Sequence, residues 1–473
     1  MKEKVLLCLS LLICAAEITY SQNMPNYDKK RIRPWSENNR YWQYEGKPII
    51  LLGASDDDNL FQWPAELLIP HLDNMKKIGA NFVRNTMSDR RDKGFEVYPF
   101  KETDDGRYDL NQWNEVYWKR FDFFLKESAK RNIIVQIELW DRFDYSRSNW
   151  DGNPYNPKNN INYNKEESGL NDAYPDHPGI NRQPFFFSPP QQQNNQKLLS
   201  IQCSYIEKVL SYTLNHDHIL YCIDNETSGE EEWAIFWRDY ITDAAHKKGK
   251  NICVTEMWDD WNLRSSSHKR TFDHPQRYQF VEISQNTHQN GIKLWDNLRW
   301  TANYLGESPR PINIVKTYGS DNGRHGSTKQ GIERWWLHLL GGVAAVRFHR
   351  PESGLGFSEL SVASVKAARK LEKMVKYWDL KAVRQSLHNS AEEVAYMTSN
   401  GEDIYLIFLP EGGSTTLLSN MEETKGTVRY LNIRSGEWLH KKAKKMSLSD
   451  TTQFTVPDKN AWLIVVTKKI DDG

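Results

Sequence analysis

Carboxylates, amides and tryptophans recur just after short apolar runs in this chain, at Asp56-Asp57-Asp58, at Asn85, at Glu138 with Trp140 and Asp141, and at Asp224-Asn225-Glu226. Later apolar runs are followed by Glu256 with Trp258, by Gln285 to His288, by Lys316 with Tyr318, and by His349 to Glu352. Two carboxyl groups can cleave a glycosidic bond, one protonating the leaving oxygen while the other attacks the sugar or activates water. Amide and carboxylate side chains suit sugar hydroxyls, and an indole face suits the C–H surface of a sugar ring. This is a carbohydrate-binding inventory. No Gly-rich phosphate loop follows the first run, so no nucleotide cofactor is expected. Three adjacent acids cannot all point at one ion, so no metal is expected at Asp56 to Asp58.

Glu226 is the leading candidate for general acid/base, with Asn225 beside it to bind a hydroxyl. The competing reading is that Asp224 and Glu226 cap the next helix, whose start is acidic. Glu256 is the first candidate for the second carboxylate, ahead of Glu352 and Asp321. Substrate contacts are expected from Arg84, Asn85, Trp140, Asp141, Asn225, Trp258, His288, Tyr318 and Glu352, with Trp150 and Trp295 as further stacking candidates. Arg84 is equally readable as a buried bridge between barrel carboxylates, and His288 as a partner for a loop carbonyl.

Residues of these types act together only if the chain gathers the run ends onto one face. The runs at 48–53, 80–84, 132–137, 219–223, 252–255, 280–283, 312–315 and 343–348 are short and β-branched, and amphipathic helical stretches separate them. That alternation predicts parallel strands with crossover helices, and eight units predict an α/β fold, the (β/α)₈ barrel, with chemistry at the C-terminal ends of its strands. Residues 146–196, after the third strand, show little periodicity and are expected to wall the catalytic face. Beyond 378 the texture changes to closely spaced strands at 394–397, 404–409, 426–431 and 461–466 without helices, which predicts a small antiparallel β-sandwich. The expected domains are a signal peptide at 1–21, a barrel at 40–378 and the sandwich at 385–470.

Lys and Arg equal Asp and Glu at 62 each, so no global field favours nucleic acid. Aromatic residues reach 12% with 18 Trp, more than a core alone calls for. A basic start, an apolar run at 5–16 and a polar stretch from Thr19 to Gln22 form a secretory signal, with cleavage expected near Ser21. The product is secreted or periplasmic, with a lipid anchor at Cys14 as the alternative, and no later segment is expected to span a membrane. Cys203, Cys222 and Cys253 are widely spaced and are read as structural thiols.

Asn225-Glu226 at the end of the fourth strand resembles the clan A glycoside hydrolases, which implies an acid/base role for Glu226 and binding of a sugar 2-hydroxyl by Asn225. That clan places its nucleophilic Glu after the seventh strand, where this chain reads IVKTYGSD over 314–321 and has Thr317. Within the clan, the segments YEGKPIILLG (44–53), VRYLNIRSGEW (428–438), FTVP (454–457) and Trp462-Leu463 resemble the apiosidase-like glycoside hydrolases, which carry a small C-terminal domain often labelled collagen-binding. The resemblance implies an exported glycosidase acting on polysaccharide side chains. Two other readings stay open: a catalytically silent glycan-binding barrel, and a polysaccharide lyase with Lys316 or His349 as base. Oligomeric state is unreadable from the sequence.

Overall fold

The computed structural model describes residues 30–468 except 89, 91–92, 179–181, 384–386, 389–394, 418–423 and 450–451. The signal segment, with Cys8 and Cys14, lies outside the described residues.

All eight expected barrel strands form. They are β1 (Leu51–Ala54), β2 (Phe82–Thr86), β3 (Ile134–Asp141), β4 (Ile219–Asn225), β5 (Val254–Thr255), β6 (Val281–Glu282), β7 (Ile312–Thr317) and β8 (Ala345–Phe348). They pair in parallel as β5-β4-β3-β2 and β6-β7-β8-β1. Two seams close the ring. At one, Asn81 N–H donates to the Leu52 carbonyl at 2.9 Å; at the other, Gln279 N–H donates to the Val254 carbonyl at 3.2 Å. Every residue of β3, β4 and β7 is buried, as a sheet covered on both faces requires. The helix Ala65–Ile78 shows how the outer ring is built: Leu68, Leu72, Met75 and Ile78 share one buried stripe, and Gly79 ends the helix at φ 86°.

Gly53 in β1 is a position of close approach. A Cβ there would stand 2.6 Å from the Phe82 carbonyl oxygen and 2.8 Å from Arg347 Cβ. Gly53→Ala is therefore expected to destabilise the fold by ~1–3 kcal/mol through overpacking, read as a lower denaturant midpoint.

The described residues of 146–196 are more ordered than their polar sequence predicts. They form short helical turns, including Arg147–Gly152, Lys165–Ser168 and Pro184–Phe187. Trp150, Tyr155, Tyr163, Phe185 and Phe186 are buried within them. Aromatic packing and Asn side chains capping nearby carbonyls replace the missing periodicity; Asn156, for example, donates to the Trp150 and Asp172 carbonyls.

The C-terminal strands form two antiparallel sheets. The larger contains β9 (Lys381–Val383), β10 (Tyr396–Ser399), β11 (Ile404–Leu409), β12 (Thr424–Asn432) and β13 (Trp462–Lys468), with β13 between β11 and β12. Alternation decides its two faces. Leu406, Phe408, Leu431, Leu463 and Val465 join the barrel core, whereas Ile407, Leu409, Val428, Ile464 and Val466 face the second sheet through Leu417 and Phe454. One strand set thus serves two cores. Cys203, Cys222 and Cys253 are unpaired thiols, the last two buried. No helix among the described residues is long and apolar enough to cross a membrane.

Candidate active site

The C-terminal ends of the barrel strands converge on a chain of buried charge. Asp58, just after β1, is ion-paired with Arg84, whose Nη1 stands 2.7 Å away, and with Arg347, whose Nη2 stands 2.9 Å away. Arg84, on β2, reaches the other way to Glu138 on β3, with Nε 2.8 Å from both carboxylate oxygens and Nη2 2.7 Å from Oε2. Burial alone would raise the Asp58 carboxyl, but Arg84, His349 and Arg347 hold it well below the usual range. Glu138 has fewer cations around it, and burial pushes its carboxyl up.

Glu226 stands beside this chain. It adopts a left-handed conformation at φ 47°, a strain of ~1–3 kcal/mol for a non-glycine residue that is common at functional sites. Lys316 Nζ lies 2.6 Å from Glu226 Oε1 and donates to Asn225 Oδ1 at 2.5 Å. The Tyr318 hydroxyl donates to the same Glu226 oxygen at 3.2 Å. Burial favours the neutral acid, yet the Lys316 ammonium outweighs it and holds the Glu226 carboxyl down at about 2. The group is ionised at neutral pH, which reverses the protonation state that a resting proton donor needs.

Asp259 shows the opposite shift. The loops after β4 and β5 continue the parallel ladder: Thr227 N–H donates to the Met257 carbonyl at 2.8 Å, and Asp259 N–H donates to the Thr227 carbonyl at 2.8 Å. This places Glu226 and Asp259 on adjoining loops. Burial and then the charge of Glu226 push the Asp259 carboxyl above its ordinary value.

Two cavities meet at Glu226. The inner one, about 250 Å³, is lined by Asp58, Arg84, Asn225, Glu226, Lys316, Tyr318, His349 and Arg350 among others. The outer one, about 470 Å³, is lined by His177, Glu226, Asp259, Trp261, His288, Tyr318 and Arg324 among others. Asp141 also lines the inner cavity, where its carboxylate accepts Arg90 Nη2 at 2.6 Å. Burial pushes the imidazoles of His349 and His288 down, to about 3 and about 4, so both are neutral at neutral pH.

The sequence-derived candidates divide into two groups. Arg84, Asp141, Asn225, Glu226, His288 and Tyr318 line these cavities. Asn85 is wholly buried and donates to the Thr86 carbonyl. Glu256 is also wholly buried and lines neither cavity; its Oε1 accepts the N–H groups of Asp224 at 2.9 Å and Met257 at 2.8 Å. Burial and then Asp224 push its carboxyl well up, and its two backbone hydrogen bonds make it a clasp between β4 and β5. Glu352 is on the rim with its side chain 59% exposed, 3.4 Å from Arg350 Nε.

The stacking expectation for Trp140, Trp150, Trp258 and Trp295 is corrected. All four are buried. Trp140 is enclosed by Phe185, Tyr205, Trp233 and Trp237. The Trp258 indole donates to Thr271 Oγ1, with Arg270 over its ring. Their faces are taken by the core, because a large aromatic at a strand end is as useful to packing as to a ligand. Asp259, Trp261 and His177 were the residues sequence reasoning missed. The available signal for the first two was their place in the loop after β5, beside Glu256 and Trp258.

No family model and no curated protein matches the chain. Among solved structures, it is similar to a glycoside hydrolase family 5 protein from Bacteroides vulgatus, with TM-score 0.60 and 13% identity over 93% of this chain and 94% of that one. It is equally similar to another glycoside hydrolase, with TM-score 0.60 and 12% identity over 93% of this chain and 97% of that one. Both alignments run through barrel and sandwich alike, so the chain has the fold of these proteins: a (β/α)₈ barrel followed by a small antiparallel β-sandwich.

Proposed function

We propose that this protein is a glycoside hydrolase, with Glu226 as the ionised carboxylate and Asp259 as the proton donor. The observation that carries the reading is that two carboxyl groups lining one cavity are driven in opposite directions, Glu226 down by Lys316 and Asp259 up by burial. Groups whose environments separate their protonation states in this way divide acid and base work between them. Thr317 occupies the clan's nucleophile position, but its side chain is buried. Glu226 therefore takes the carboxylate role here, in place of the acid/base role that the Asn225-Glu226 resemblance implies.

The polar lining of the cleft suits sugar hydroxyls, and the fold is shared with glycoside hydrolases. The finer resemblance, to apiosidase-like hydrolases of polysaccharide side chains, rests on the segments at 44–53 and 428–438. In the same reading the protein is exported by its first 21 residues and consists of a barrel over 40–378 and a sandwich over 385–470. A silent glycan-binding barrel is the second reading, and the ion pair that neutralises Glu226 favours it.

Sugar release from plant and host glycans, compared between wild type and Asp259→Asn, tests the assignment. Wild type should release sugar and lose activity as pH rises through the elevated Asp259 pKa, because the donor is then ionised. Asp259→Asn should be slowed about 10²–10⁴-fold. Binding without release by wild type would favour the silent barrel, and full activity in Asp259→Asn would remove Asp259 from the mechanism.

A further inference from the structure

Of the 18 tryptophans, all within the described residues, Trp261 is the one with a freely exposed ring, at 55% of its surface. The others are buried or half-buried, where their area stabilises the fold. An indole left in water at a cavity wall contributes nothing to that core and is available to a ligand.

Trp261 is also held in place. His288 stacks on it with ring centroids 4.2 Å apart and planes 19° apart. His288 packs edge-on against Tyr318 at 5.2 Å, and Tyr318 donates to Glu226. A rigid line of rings therefore runs from the exposed indole to the carboxylate. One indole face lies on His288, and the exposed Trp261 lines the outer cavity. Asp259, Asp260, Arg324 and His325 line the same cavity and offer polar groups around an apolar plate. A sugar ring has that complementary form, with C–H faces and hydroxyl edges.

The inner and outer cavities adjoin at Glu226 and Tyr318, which line both. We propose that Trp261 is the platform of a second sugar subsite, so that the substrate is an oligosaccharide or polysaccharide bound with one sugar in the inner cavity, the next on Trp261, and their linkage over Glu226. The proposal rests on the hydrolase reading for the linkage position, but the platform itself is a binding claim.

The test separates the two. Intrinsic fluorescence titrations with short cello-, manno-, xylo-, arabino- and galacturono-oligosaccharides are made on wild type, Trp261→Ala and Trp261→Phe. The expected result is an oligosaccharide that perturbs wild-type fluorescence, binds about tenfold more weakly to Trp261→Ala, and is partly restored by Trp261→Phe. The matching monosaccharide should bind wild type and Trp261→Ala alike. This pattern supports the subsite even if no sugar is released, in which case only the hydrolase reading fails. Equal oligosaccharide affinity in wild type and Trp261→Ala, or no binding of any of these glycans to wild type, overturns the platform.

Discussion

Glu226→Gln is expected to slow glycan cleavage about a thousandfold, because an amide neither attacks a sugar nor accepts a proton from water. The same substitution leaves Lys316 without its counter-ion. The Lys316 side chain is 3% exposed, and Asn225 Oδ1 is then its remaining partner. Removing one member of a buried pair costs about 3 kcal/mol or more at neutral pH, so Glu226→Gln should also unfold at lower denaturant.

The double variant Glu226→Gln/Lys316→Met separates the two effects. It removes both charges together, so stability should return towards wild type while activity stays lost. Recovery of activity would exclude Glu226 from the chemistry. Lys316→Met alone keeps the carboxylate but leaves burial unopposed, so the Glu226 pKa should rise. The acid limb of kcat/KM, near pH 2 in wild type on the Glu226 value, should then move upward. Linkage has the matching sign. A carboxyl lowered on folding stabilises above its unfolded pKa near 4.5, and that contribution is lost as pH falls through about 2. Wild type should therefore lose stability across that window more steeply than the double variant. An unchanged acid limb in Lys316→Met would mean that the ion pair does not control Glu226.

Arg84→Ala is expected to be the most damaging single change to the fold at the site, at about 3–5 kcal/mol in urea unfolding. It strands two carboxylates at once. Asp58 and Glu138 have side chains 4% and 0% exposed, and Arg84 bonds both. The two losses are unequal. Asp58 keeps Arg347 at 2.9 Å, whereas Glu138 loses its ion-pair partner. Burial already raises the Glu138 carboxyl, so the variant should relieve the charge by taking up a proton, and the penalty should shrink as pH falls. Arg84→Lys should recover only part of the loss, because an ammonium cannot span both carboxylates as the planar guanidinium does. A penalty below 1 kcal/mol that does not vary with pH would show that the Asp58–Arg84–Glu138 chain is not holding the strand ends together.

What the sequence determined by itself is the architecture. Short β-branched runs separated by amphipathic helices can bury their faces only as a covered parallel sheet, and eight such units close into a barrel. Strand ends then become the place for chemistry, which is why Arg84, Asn225, Glu226 and Tyr318 were legible as neighbours before any coordinates. Roles were another matter. Whether a tryptophan packs or binds depends on what covers its faces, and periodicity does not record that; hence Trp258 lies in the core and Trp261, three residues on, lies in the cleft. Protonation is similarly hidden. Glu226, Glu256 and Asp259 are the same functional group in nearby loops, but Lys316 from β7 holds the first down, burial beside Asp224 pushes the second well up, and burial followed by the charge of Glu226 raises the third. Lys316 is 90 residues from Glu226 in the chain, and only closure of the barrel brings it to 2.6 Å. Electrostatic roles are properties of distance and burial, and tertiary structure is what sets both.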